Sequence, residues 1–332
     1  MFVDGVEAVH IEPTARCNAG CPMCARTGND LILGNQGEIT IDEFKVFFPP
    51  EFVKGLKQFK FCGNYGDPIV ARDLVEMHEY LYEHNPDIRF ITSTNGGVRN
   101  RIFWKRLGEL YAKSPQSRMH FHIDGLEDTN HIYRVGVKWE KVIANAHAFI
   151  SAGGTADWFF IPFFHNEHQV EEAEQIAHDM GFNEFVIKVS ARFSDFRKPF
   201  SNGSVKIYPP TDSRFNIEGM QVDGPLICFA EKRKEIYVDA WGRLFPCCWT
   251  ASRFNNTENW IQHKDPLINS LRHRSIEEIH ADPKIDEWIN SLYCNKASVC
   301  NKRCTGSYQH VIDIKGQQRP QKELWYSGEQ ND

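Results

Sequence analysis

No segment of this chain approaches about eighteen uninterrupted apolar residues, and its start, MFVDGVEAVHIEP, carries no basic stretch ahead of a long apolar run. Neither a membrane-spanning helix nor a secretory signal is expected, and the reading is a cytoplasmic protein. Also missing is a basic stripe. The 38 Lys and Arg are mixed with 44 Asp and Glu for a formal net charge of -6, so no nucleic-acid partner is expected. Cysteine is absent between Cys62 and Cys228, which divides the ten cysteines into an early and a late group. A disulfide framework would need a secretory context, which is not expected here, so metal ligation is the better reading of both groups.

The 332 residues exceed the size at which one hydrophobic core usually stops growing, so one large domain plus a smaller one is expected. Hydrophobic residues make up 41% of the chain and include 24 Phe, which is enough for a folded core. From residue 6 to about 190, strand-like stretches at 8–13, 58–63, 88–94, 119–125, 157–164 and 184–190 alternate with helical candidates near 41–54, 71–84, 100–112, 138–151 and 167–180. Six strands alternating with five helices describe a parallel α/β unit, either an open sheet or a partly closed barrel. Right-handed crossovers collect the strands' carboxyl ends on one rim, where PTARC, GNYGDP, TSTNGG and HIDG follow the first four strands.

Residues 191–222 are rich in Ser, Pro, Gly and charge and read as a connection. EIYVDAWGRLFPCC (235–248) reads as a hairpin turning at Trp241-Gly242, and a helix near 283–292 leads into CNKASVCNKRC. The 223–310 region has too few strands for a large core of its own, and a metal would supply part of its stability. Residues 311–332 read as a loose tail.

CNAGCPMC places Cys17, Cys21 and Cys24 just past the first strand at C-x3-C-x2-C spacing. Zinc more often takes a two-residue pair plus a distant pair. A 4Fe–4S cube needs a ligand on each iron, so three thiolates leave one iron open to a substrate or cofactor. This motif resembles that of the radical S-adenosylmethionine (SAM) superfamily. GNYGDP (Gly63, Asn64, Tyr65, Gly66, Asp67) resembles the family's segment for the methionyl amine, and TSTNG, with Ser93, Thr94 and Asn95, resembles the segment after the third strand. HIDGLEDTNHIYR, with His122, Asp124 and Arg134, resembles the segment whose arginine meets the methionyl carboxylate.

The resemblance covers roughly residues 6–190 and implies a partial (β/α)6 TIM-like barrel over 1–190. It further implies a 4Fe–4S cluster on Cys17, Cys21 and Cys24 with an open iron, S-adenosyl-L-methionine bound there, and a flavodoxin- or ferredoxin-like electron donor. Reductive cleavage of SAM would give a 5′-deoxyadenosyl radical that abstracts hydrogen from substrate, inside a cavity that keeps water away.

Cys228, thirteen residues, Gly242, four residues and Cys247 resemble the opening of the SPASM and twitch iron–sulfur extensions. Cys294, Cys300 and Cys304 match most of the longer SPASM run, but Ser291 stands at its first position and no cysteine follows Cys304. Two all-cysteine cubes need eight thiolates and six are present, so the resemblance implies one auxiliary 4Fe–4S cluster. Its expected ligands are Cys228, Cys247, Cys294 and Cys304, with Cys300 as the alternative and Cys248 packed into the hairpin. Such a saturated cluster would pass electrons or support structure.

Several residues carry a bland reading beside the functional one. Cys62 reads as core filling within a strand. His120 and His122 share a strand face, toward SAM or substrate or internally paired. Arg134 either binds a carboxylate or bridges to Glu127 or Asp128. Lys188 interrupts an apolar strand, facing either the SAM or substrate cavity or a strand edge. DWFFIPFF reads as core.

For substrate, modification or crosslinking of a peptide or protein side chain is the expectation, with dehydrogenation or rearrangement of a small molecule such as a sugar or alcohol as the alternative. A first cysteine at residue 17 leaves no N-terminal room for a leader-binding domain, so a separate protein or the 191–222 connection would position a peptide.

Overall fold

The computed structural model describes residues 5–27, 33–34, 36–190, 192–193, 198–202, 205–215, 226–251, 265–294, 300, 304 and 311–317. Its strands are β1 (Ala8–Ile11), β2 (Gln58–Phe61), β3 (Arg89–Thr94), β4 (Arg118–His122), β5 (Ala156–Phe160), β6 (Glu184–Lys188), β7 (Phe200–Asn202), β8 (Val205–Ile207), β9 (Glu235–Val238), β10 (Leu244–Phe245) and β11 (Val311–Ile312). Two compact units divide the chain: residues 1–16, 35–89 and 222–308 form the first, and 17–34, 90–221 and 309–332 the second.

In the first unit β1 lies between two parallel partners, so that Val9 faces Phe59 of β2 and Ile236 of β9. All four β1 residues, His10 included, are buried, as expected of a strand with partners on both sides. The expected 235–248 hairpin is present: β9 and β10 pair antiparallel, and Gly242 takes φ 73°, a left-handed value suited to glycine. The sequence did not reveal that β9 also pairs with β1.

Two helices, Ile41–Phe47 and Pro50–Lys54, replace the expected single helix over 41–54. Pro50 has no amide hydrogen for a continuing helix, and Pro49 is extended at φ -63° and ψ 159°. A capping box between Thr40 and Glu43 starts the first helix. Phe44 meets Phe48, Phe59 and Tyr80 at ring separations of 5.0, 5.4 and 6.1 Å, which fastens that helix to β2.

The second unit carries the parallel run β3, β4, β5 and β6, with β11 antiparallel to β6. Its helices Arg101–Ala112 and Trp139–Ser151 meet through Trp104, Tyr111 and Phe149, and Trp104 and Phe149 also pack on Phe121 of β4, all four buried. Asn100 caps the first of them by accepting from the Phe103 amide at 3.0 Å. Most of DWFFIPFF is core as expected, with Trp158, Phe159, Phe160 and Phe163 buried and Phe164 exposed.

The stretch read as a connection contains the β7–β8 pair, and the stretch read as a tail begins with β11. Both elements are two or three residues long, too short to leave a periodic signal. Among the described residues no helix is long and apolar enough to cross a membrane.

Candidate active site

In the second unit, the loop after β1 carries the thiols of Cys17, Cys21 and Cys24, none of them in a disulfide. Short local bonds set its shape: the Cys24 amide donates to the Cys21 carbonyl at 3.0 Å, and Thr27 Oγ1 donates to the same carbonyl at 2.8 Å. Arg26, within the loop, donates to the Ala19 carbonyl at 2.5 Å, and Arg192 ties the loop from outside by donating to the Met23 carbonyl at 2.6 Å. Gly20 anchors it to the strand-four segment through a 2.8 Å bond to the Val135 carbonyl.

Donors point at the sulfurs. Cys17 Sγ accepts from the Ala19 amide at 3.4 Å and from Asn95 Nδ2 at 3.6 Å, and Cys21 Sγ accepts from Arg134 Nη1 at 3.6 Å. Burial pushes the Cys21 thiol up and Arg134 draws it back toward the charged form. Such donors favour the thiolate, the form in which sulfur ligates a metal.

Asn95 and Asn18 form a reciprocal amide pair, with bonds of 3.0 and 3.2 Å, so the TSTNG segment and the cysteine loop hold each other. Asn95 Oδ1 also accepts from the Gly97 amide at 2.8 Å, and Thr94 Oγ1 from the Gly96 amide at 2.9 Å. Ser93 sits opposite His120 in the β3–β4 register.

Arg134 bonds neither Glu127 nor Asp128, the partners its bland reading named. Its Nε donates to Asp124 Oδ2 at 2.6 Å. Asp124 is fully buried and also accepts from the Ile161 amide at 2.7 Å. Burial raises its carboxyl while Arg134 lowers it; for Arg134 burial opposes the charge, and Asp124 and then Cys21 outweigh it. One guanidinium thus links a buried carboxylate to a cluster-loop sulfur.

His120 is wholly buried 3.6 Å from Asp157, its register partner on β5, and packs on Phe159 at 4.6 Å. His122, half-buried, packs on the same Phe159 at 5.1 Å. Phe159 stands opposite Val186 on β6, which places Lys188 on that same face by alternation, and Lys188 helps lower the Asp124 carboxyl.

In the first unit, the GNYGDP loop closes on Glu12, a residue the sequence reading passed over. Glu12 Oε1 accepts from the amides of Tyr65 and Gly66, each at 2.7 Å. A buried acid at the end of an apolar strand was the available signal. Asp67 does not present a free carboxylate: it accepts from the Ile69 amide at 3.1 Å and starts the short 3-10 turn Pro68–Val70. The Asn64 side chain donates to Tyr237 and to the Cys248 carbonyl.

Cys62 lies past the end of β2 and is half-exposed, correcting its reading as a strand core residue. Cys228, Cys247 and Cys304 are near enough to influence one another: burial pushes the Cys247 thiol up to about 12, and Cys228 and Cys304 add to the rise. The Ile227 amide donates to the Cys304 carbonyl at 2.8 Å. Burial raises Cys248 as well. Cys300 is half-exposed. Cys294 ends the helix Pro283–Cys294, and its side chain lies outside the described residues. Among the described residues no three Cys, His, Asp or Glu side chains are grouped to hold a metal ion. A cluster of four irons separates its thiolates further than a single ion does.

The Radical SAM superfamily profile matches residues 11–180, just over half of the chain. This protein belongs to the radical SAM superfamily. Among solved structures, Streptococcus suis SuiB bound to S-adenosylmethionine superposes with a TM-score of 0.60 at 14% identity, covering 87% of this chain and 69% of that one. The enzyme anSMEcpe with bound AdoMet superposes at 0.55 and 16% identity, covering 86% and 80%. The α/β partial barrel expected from the motifs is thus the fold of the chain. A GTP 3′,8-cyclase of Helicobacter pylori is 23% identical over 131 residues, 38% of this chain and 39% of that protein. The chain thus spans about two fifths of that curated relative.

Proposed function

We propose that the chain reductively cleaves SAM and abstracts hydrogen from a peptide or protein side chain. The observation that carries this reading is the cysteine loop, where three thiols outside any disulfide share a tethered turn and Asn95 and Arg134 donate to two of the sulfurs. That donor set suits a 4Fe–4S cluster with one iron left for SAM. When bound, the cluster and SAM supply a 5′-deoxyadenosyl radical to the substrate. The chain's own contribution is to hold charge in place. Arg134, fixed by Asp124, presents a guanidinium suited to a carboxylate. The backbone of the GNYGDP loop addresses the methionyl amine, and Ser93, Thr94, Asn95 and His122 shape the remaining contacts.

Support for a peptide comes from the neighbours. SuiB has been crystallised with its precursor peptide SuiA, at a TM-score of 0.54 to this chain, and anSMEcpe with the Cp18Cys peptide, also at 0.54. A small-molecule substrate is the second reading. It is favoured by the similarity to GTP 3′,8-cyclase and by the ionisable face that His122, Asp157, Glu184 and Lys188 give β4–β6.

We further propose one auxiliary 4Fe–4S cluster on Cys228, Cys247 and Cys304, completed by Cys294 or Cys300, in a 223–310 SPASM/twitch-like segment that follows the 191–222 connection. A flavodoxin- or ferredoxin-like protein would deliver the electron. The deciding assay is iron and acid-labile sulfide per chain after anaerobic reconstitution, repeated on a Cys17→Ala, Cys21→Ala, Cys24→Ala variant. About eight irons falling to about four supports both clusters. About four falling to none removes the auxiliary one, and no loss in the variant removes the primary assignment. Deuterium transfer into 5′-deoxyadenosine from labelled peptide, against labelled sugar or alcohol, separates the two substrate classes.

A further inference from the structure

Glu12 follows β1 and is fully buried, and among the described residues no cation hydrogen-bonds to it. Its Oε1 accepts from two successive backbone amides, Tyr65 and Gly66, both at 2.7 Å. Its Oε2 accepts from the Tyr237 hydroxyl at 3.0 Å. Tyr237 is itself fully buried on β9, and its oxygen accepts from Asn64 Nδ2 at 3.2 Å. The same Asn64 amide donates to the Cys248 carbonyl at 2.9 Å.

The glycines of the loop are cut to this arrangement. A methyl group on Gly63 would lie 2.5 Å from Glu12 Oε1, and one on Gly66 would lie 1.7 Å from the Thr14 carbonyl oxygen. The loop is therefore pressed against the end of β1, with Glu12 as the acceptor that turns two adjacent amides inward.

We propose that Glu12 is the positioning residue of the GNYGDP loop, and that through Tyr237 and Asn64 it fastens this loop to the Cys247–Cys248 turn of the C-terminal segment. The C-terminal segment is then a structural part of the SAM-binding loop as well as a carrier of cysteines. This rests on the radical SAM reading of that loop, and the experiment keeps the two separable.

The reconstituted wild-type protein is compared with Glu12→Met, which fills the space but accepts no hydrogen bond, with Glu12→Gln, whose amide oxygen still accepts both N–H groups, and with Tyr237→Phe. SAM affinity is measured by equilibrium dialysis, and hydrogen exchange is followed in the peptide covering Tyr65 and Gly66. Glu12→Met should weaken SAM binding about tenfold or more and expose those amides to exchange. Glu12→Gln should restore both to within about threefold of wild type, a rescue that a pure packing role would not give. Tyr237→Phe should speed exchange at the loop although it lies on another strand. Unchanged exchange in Glu12→Met, or a Glu12→Gln variant as impaired as Glu12→Met, overturns the proposal. A wild-type protein that binds no SAM overturns the reading of the loop instead, while the exchange data still decide the role of Glu12.

Discussion

Replacing Gly66 with Ala tests the closest backbone contact around the GNYGDP loop. The added Cβ would stand 1.7 Å from the Thr14 oxygen, 2.7 Å from the Thr14 carbonyl carbon and 3.0 Å from the Ala15 Cα. Ordinary contact begins near 3.4 Å, and every atom met is backbone, so no side chain can swing aside to relieve the clash. Either the loop or the end of β1 must shift by well over an ångström. Overpacking of this kind costs about 1–3 kcal/mol. The shift also breaks the paired amide bonds to Glu12, and each buried donor left alone costs about 1–3 kcal/mol.

These costs overlap, and a floor of about 2 kcal/mol is reasonable, equivalent to about thirtyfold in an equilibrium constant. If the loop moves, the loss appears in SAM affinity by equilibrium dialysis; if β1 moves, it appears in the urea midpoint. Gly55→Ala is the control. Gly55 has φ -81° and ψ -9°, and its added Cβ would meet only the Phe52 oxygen at 3.6 Å, so that variant should be neutral. Should Gly66→Ala match Gly55→Ala in both measurements, the close-approach reasoning is wrong.

Arg134→Met should leave Asp124 buried with its Ile161 bond but without the guanidinium, at a cost of about 3 kcal/mol in urea denaturation. Adding Asp124→Asn should recover part of that loss, and strictly additive effects would refute the pairing. Burial raises Glu12 to about 7, against its backbone and Tyr237 bonds, with Tyr237 and Asp239 as the titratable groups facing it. A raised folded value gives stability that is present below the unfolded value of about 4.3 and lost as pH climbs to 7. Wild type should therefore lose about 3 kcal/mol relative to Glu12→Gln between pH 4.5 and 7.5, and a flat difference would show that the carboxylate is solvated. Cys247→Ala should lower iron by about four per chain if the auxiliary cluster exists, and unchanged iron and sulfide would remove it.

Much of this protein is written locally. The buried run AVHI, the alternation in RMHFH and the capping residues Thr40 and Asn100 each follow from backbone periods and side-chain chemistry within a few neighbours. The cysteine spacing in CNAGCPMC is likewise a local property, because one loop supplies all three thiols. Pro49-Pro50 marked the helix break as well, although the apolar spacing across 41–54 masked it.

Through-space choices stayed hidden. Nothing near Arg134 in the chain distinguishes Asp124 from Glu127 or Asp128, since all three lie within reach and only the tertiary fold buries one of them. His120 lies 3.6 Å from Asp157 because strand register places the two opposite each other, a pairing the linear sequence does not display. The role of Glu12 needed three distant segments at once, Gly63–Asp67, Tyr237 and Cys248. By itself the sequence determined where the longer strands and helices lie and which thiols share a loop, because those depend on short-range geometry. Only the tertiary structure decided which buried charges pair and which backbone amides they hold, because desolvation forces each buried polar group to find a partner wherever the fold brings one.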